Sequence, residues 1–116
     1  MAGAQIGLNV FPAVIAAGGT ITPEVDLGAF YMVGLYVPSN WTSANITFQA
    51  SPDGVNFGNM FTYLGAEVTF VAVAGEFLAV DPTLWKGARA IKVRSGTSGT
   101  PVAQSAQVTL QIVGSL

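Results

Sequence analysis

Polar and apolar residues alternate along much of this chain with a period of two. Ile46, Phe48 and Ala50 are interleaved with Thr47, Gln49 and Ser51; Ile91 and Val93 with Lys92 and Arg94; Val108, Leu110 and Ile112 with Thr109 and Gln111. Such spacing puts one set of side chains in a core and the other on the opposite face of a strand. Two further runs, Phe30 to Val37 and Val68 to Val73, are apolar in both phases, as in a strand covered on both faces or by a neighbouring subunit.

Turn-forming residues separate these runs: Gly18-Gly19, Pro23, Pro38-Ser39-Asn40, Pro52-Asp53-Gly54, Gly65, Gly75, Asp81-Pro82, and the stretch from Gly96 to Pro101. In Pro52-Asp53-Gly54 the proline presets φ, the aspartate bonds to nearby backbone and the glycine accepts positive φ. The predicted strands are 5–11, 13–17, 29–37, 44–50, 60–64, 67–73, 76–80 with 88–94, and 105–113. Asp81 to Trp85 reads as a turn or one helical turn, because Pro82 follows a capping aspartate. Short strands, regular turns and no amphipathic helix predict an all-β fold, a single β-sandwich of jelly-roll type. Residues 21–116 are assigned to the sandwich, and residues 1–20 to either an extended N-terminal arm or its first strand.

Charge sharpens this picture. Of 116 residues, 51% are hydrophobic and only 9% are charged, against about 25% charged in an ordinary globular chain. No ionised side chain precedes Glu24, lies between Asp26 and Asp53, or follows Arg94. Surfaces that face other proteins are depleted in charge in this way, so the chain is expected to form a homo-oligomer or to dock on a larger lattice. The candidate contributors are Ile6, Leu8, Val10 and Phe11, then Phe30, Tyr31 and Tyr36 in the doubly apolar strand, and the last strand through Val113. A stable interface buries about 1,200–2,000 Å², which these segments could supply.

Other functions are disfavoured. A net charge of −2 does not suit nucleic acid, and the four basic residues (Lys86, Arg89, Lys92, Arg94) read as the solvated or salt-bridging face of one strand. The absence of His and Cys removes the commonest catalytic base, thiolate metal sites and disulfides. Six scattered carboxylates make no recognisable acid pair, and Arg94 to Gly99 lacks the Lys-Ser/Thr that completes a P-loop. No catalytic, cofactor or metal residues are assigned, and the chain is not expected to be an enzyme. Calcium could use Asp53, Asn56 and the Gly54 carbonyl, but a plain turn is the better reading. No apolar run is long enough to span a bilayer, and the N-terminal stretch lacks a basic signal region. The sequons at Asn40 and Asn45 are attributed to chance. Trp41 and Trp85 are expected to close the ends of the core; the alternative is that Trp41, Phe57 or Trp85 stacks on a sugar.

The stretch from Leu35 to Gln104 resembles a group of tailed-bacteriophage virion proteins. The features that carry the likeness are Tyr36-Val37-Pro38, Trp41-Thr42-Ser43-Ala44, Ile46 to Gly54, Asn56-Phe57, Gly65 to Thr69, Lys92 to Thr97 and Pro101 to Gln104. The resemblance implies a small β-sandwich structural protein of the head or neck, most simply a capsid decoration or cement protein. Its implied partners are other virion subunits, the major capsid protein first, and further copies of itself, with a trimer preferred by analogy. Its implied location is the virion, assembled in the host cytoplasm. Strand, Asp-Gly turn and strand also resemble discoidin-like domains, so the alternative is a carbohydrate-binding jelly-roll module on a tail or fibre.

Overall fold

The computed structural model describes residues 7–116. Eight strands and one short 3₁₀ turn follow in the order β1 (Leu8–Ile15), β2 (Val25–Asp26), β3 (Tyr31–Tyr36), β4 (Ile46–Ser51), β5 (Gly58–Asn59), β6 (Phe77–Ala79), the turn Pro82–Leu84, β7 (Ala90–Ser95) and β8 (Val108–Ser115). They form two four-stranded sheets, β1-β8-β3-β6 (sheet A) and β2-β7-β4-β5 (sheet B), and every pairing is antiparallel. One core lies between them. Ala13, Ile15, Met32, Leu35, Leu110 and Ile112 point in from sheet A, and Val25, Ile46, Phe48, Ile91 and Val93 from sheet B. The fold is an all-β sandwich.

The alternating segments behave as their pattern predicts. In β8, Val108, Leu110 and Ile112 are buried while Thr109 and Gln111 are exposed. Around Pro12 the structure differs from the expectation of two strands, 5–11 and 13–17: β1 runs straight through the proline. The Gly7 carbonyl accepts from the Leu116 N–H at 2.9 Å, so the alternation of an antiparallel ladder makes Pro12 and Gln111 a pair without mutual hydrogen bonds. The missing N–H of Pro12 therefore faces the open edge of sheet A and costs no ladder bond. Residues 8–15 are thus a first strand and not a free arm.

Residues 60–73 are a second correction. The expected strands 60–64 and 67–73 are replaced by a hairpin, closed by a bridge between Phe61 and Glu67, and an extended connection that bridges to β4 where Phe70 meets Ile46. Val68 and Ala72 reach the core and Phe70 packs against it, whereas Val71 and Val73 are exposed. Segments 76–80 and 88–94, taken together above, are two strands in different sheets. β2 went unforeseen because two residues carry no period. The turn at 82–84 is as expected, with Asp81 accepting from the Thr83 N–H at 3.1 Å. Gly96 has φ +87°, and a Cβ there would strike the Thr100 and Val102 backbone.

Candidate interaction surface

The four strands of sheet A contain no Asp, Glu, Lys or Arg. Their outward side chains can be read from the register. Val10 lies opposite Val113, Pro12 opposite Gln111, Val113 opposite Gly34, Gln111 opposite Tyr36, and Tyr36 opposite Phe77. Val10 is 53% and Phe77 58% exposed, and Leu8 lies on the same face of β1 as Val10. Phe77 lies across Gly34, so closely that a Cβ at that position would collide with its ring. The result is a broad, uncharged, partly apolar sheet face whose far edge ends in Phe77.

The expected interface residues fall in different places. Leu8, Val10 and Tyr36 belong to this face. Phe11 and Phe30 instead pack edge to face, 5.6 Å between ring centres, at the end of the core beside Gly114. Tyr31 is half-buried, with the Lys86 ammonium 5.5 Å from its ring centre. Ile6 lies outside the described residues.

The aromatics named for sugar stacking do not offer free ring faces. Trp85 is wholly buried against Phe48 and Phe70. Trp41 is buried too; its indole N–H donates to the Ala44 carbonyl at 3.1 Å. Beside it, buried Gln104 accepts from the Thr42 N–H and donates to the Thr42 carbonyl and the Ser95 hydroxyl, which closes that end of the sandwich. Phe57 is half-buried with the Lys92 ammonium 4.5 Å from its ring centre.

All four cations are engaged within the chain. Arg89 approaches Asp26 at 3.8 Å, and Arg94 approaches Glu67 at 3.6 Å. Arg94 is a correction to the solvated-strand alternative, since only 6% of it is exposed. It faces away from the core, yet the 60–68 hairpin and the 96–101 turn fold over it. Its guanidinium donates to Asn59 Oδ1 at 2.6 Å and Thr47 Oγ1 at 3.3 Å, while Glu67 also accepts from the Ser98 N–H.

The Asp53 carboxylate, the candidate calcium ligand, is committed to its own turn. Its Oδ1 accepts from the Ser51 hydroxyl and the Val55 and Asn56 N–H groups, and its Oδ2 accepts from the Asn56 amide. Oxygens already facing four hydrogens are poorly placed to meet a cation. Among the described residues no cluster of three His, Cys, Asp or Glu could hold a metal. The Asn56 and Val55 backbone bonds, followed by the Asn56 and Ser51 side chains, hold the Asp53 carboxyl far below its ordinary value of 3.8. A folded-state value below the unfolded one means stability present above pH 3.8 and lost as pH falls through the lower folded value. Carboxyl-carbon NMR should therefore show Asp53 still ionised well below pH 3.8; half-protonation at or above that pH would contradict this geometry.

Sequence reasoning missed two features. The hairpin tip presents Tyr63, 96% exposed, and Leu64, 81% exposed, with Phe61 on the stem. A cleft of about 250 Å³ lies between Phe70, Val71, Leu78, Val80, Leu84 and Trp85, with exposed Asp81 also lining it. The Trp85 indole N–H is buried without an acceptor. Gly65, at φ +90°, marked the tip as a turn but said nothing of its exposure. No helix among the described residues is long and apolar enough to cross a membrane. In comparison with known proteins, the chain matches no protein-family model and no curated protein.

Proposed function

We propose that this chain is a structural subunit of a virus particle, a capsid decoration or cement protein, that acts by laying the outer face of sheet A on neighbouring subunits. The observation that carries the reading is the segregation of charge. Every ionised side chain lies outside the strands of sheet A, although that sheet exposes Leu8, Val10 and Phe77 to solvent. A free-standing domain mixes both signs over its surface to stay dispersed; a face that becomes buried against protein is better without charges that would need desolvation.

The strand order supports a jelly-roll description of the sandwich. β1 pairs with β8, β2 with β7, β3 with β6 and β4 with β5. The chain is thus one long hairpin, turned at Pro52-Asp53-Gly54 and rolled until β8 meets β3 and β7 meets β4. The resemblance to phage virion proteins points the same way. The engagement of all four cations supports a protein partner in preference to nucleic acid. Sugar binding through Trp41 or Trp85 is not favoured, because both rings are in the core.

Val10→Asp and Gln111→Arg place charge on the sheet A face at exposed positions, so both variants are expected to keep the native circular dichroism spectrum and unfolding midpoint. Each should lower co-sedimentation with particles assembled without this chain by at least about 30-fold, the scale of an interface hot spot. Undiminished binding by both variants, or no binding by the parent chain, defeats the proposal.

A further inference from the structure

The hairpin tip and the cleft are complementary features of one molecule. The tip is apolar, uncharged and held before any partner arrives. Thr62 N–H donates to the Ala66 carbonyl at 2.8 Å, Gly65 N–H to the Thr62 carbonyl at 2.9 Å and Val68 N–H to the Met60 carbonyl at 3.0 Å. At its base Glu67 is held by Arg94 and the Ser98 N–H. A preordered tip loses little further freedom on binding, which lowers the cost of association.

The cleft has the matching character. Its walls are aliphatic and aromatic, and its 250 Å³ would hold roughly eight waters at about 30 Å³ each, enough for one or two side chains. Asp81 is its one ionised group. Both bonds from Thr83 go to Asp81 Oδ1, which leaves Oδ2 to accept. Those bonds also hold the carboxyl below its ordinary value, so it is an acceptor at neutral pH. Neither Tyr63 nor Leu64 lines the cleft of its own chain.

We propose that the hairpin tip of one copy seats in the cleft of the next, Leu64 filling the space beside Val71 and Leu84 and the Tyr63 hydroxyl donating to Asp81, so that copies join head to tail in a closed ring. This deepens the structural-subunit reading and rests on it. The occupant follows from the matched pair: an uncharged knob and an apolar hole with one acceptor occur on the same chain at separate places. Tyr63 and Leu64 are almost fully exposed, so seating both removes two large side chains from water together with the cleft walls they cover. A contact between two different patches is heterologous, and it closes into a ring when the rotation between copies permits. The ring leaves the face of sheet A free for the particle.

Light scattering on the full chain at micromolar concentration should report three or more copies. Leu64→Asp and Val71→Asp change exposed residues of the tip and the cleft, and each should weaken self-association at least about 30-fold. Mixed together, the two variants retain one sound tip and one sound cleft, so they should form a heterodimer and stop there. A two-fold dimer indifferent to both changes, or a mixture that stays monomeric, overturns the head-to-tail contact. A monomeric parent chain that still binds particles overturns the ring and leaves the sheet A reading intact. A sound ring that ignores particles does the reverse.

Discussion

Trp85→Ala is expected to lower the free energy of unfolding by about 3–5 kcal/mol, a large part of the roughly 5–15 kcal/mol available to a domain of this size. The indole is wholly buried. It meets Phe48 with ring centres 4.7 Å apart and Phe70 at 5.9 Å, while Phe48 and Phe70 are themselves 4.8 Å apart, all edge to face. Each such pair adds about 0.5–1.5 kcal/mol beyond the area it buries. Phe48 belongs to β4, Phe70 to the connection between β5 and β6, and Trp85 to the connection between β6 and β7. One truncation thus loosens three segments, and the cavity has no single element that can move in to fill it. Trp85→Phe should cost less than half as much, because it keeps an aromatic ring and removes an indole N–H whose unpaired burial costs about 1–3 kcal/mol. Urea unfolding followed by far-ultraviolet circular dichroism measures both. An alanine variant within about 1 kcal/mol of the parent chain, well short of a fully packed aromatic, would contradict the central place given to this cluster.

Local periodicity made the centre of each sheet legible in the sequence and left the edges dark. β4, β7 and β8 could be read because each alternates cleanly between breakers, and Pro52-Asp53-Gly54 could be read because its three residues each force the same turn. The 67–73 segment could not. A run apolar in both phases looks the same whether both faces are covered or one is bare, and Val71 and Val73 are bare. Pro12 misled for a related reason: a proline breaks a strand unless its nitrogen faces an open edge, and which edge is open depends on a partner, β8, about a hundred residues away. The scarcity of charge was plain from composition, but its concentration in one place emerges only from pairing, which gathers four charge-free strands into one sheet. Arg94 shows the converse. Alternation correctly turned it away from the core, yet only a long-range hairpin could bury it.

Arg94 should therefore be far more important to this fold than an ordinary surface arginine. Arg94→Leu is expected to cost about 3–5 kcal/mol, the range for breaking a buried ion pair on one side, where an exposed pair is worth about 0–1 kcal/mol. The substitution leaves the Glu67 carboxylate, only 15% exposed, with no cation beside it. It also removes the donor to Asn59 and one donor to Thr47, whose hydroxyl still gives its own bond to the Gly96 carbonyl at 2.6 Å. Glu67→Gln added to Arg94→Leu should recover about 1–2 kcal/mol by discharging the orphaned acid, so a double-mutant cycle should show a coupling within the 0.5–3 kcal/mol typical of residues in contact. The loss has a local signature as well. Glu67 sits at the base of the hairpin that carries Tyr63 and Leu64, so amide exchange at Thr62 and Val68 should quicken in Arg94→Leu even under conditions where β8 amides remain protected. Self-association should weaken with it if the tip must be held still to bind. Unchanged exchange at those two amides, together with a stability loss below about 1 kcal/mol, would place Arg94 among the ordinary surface pairs and remove the rigid hairpin from the account of how the chain assembles.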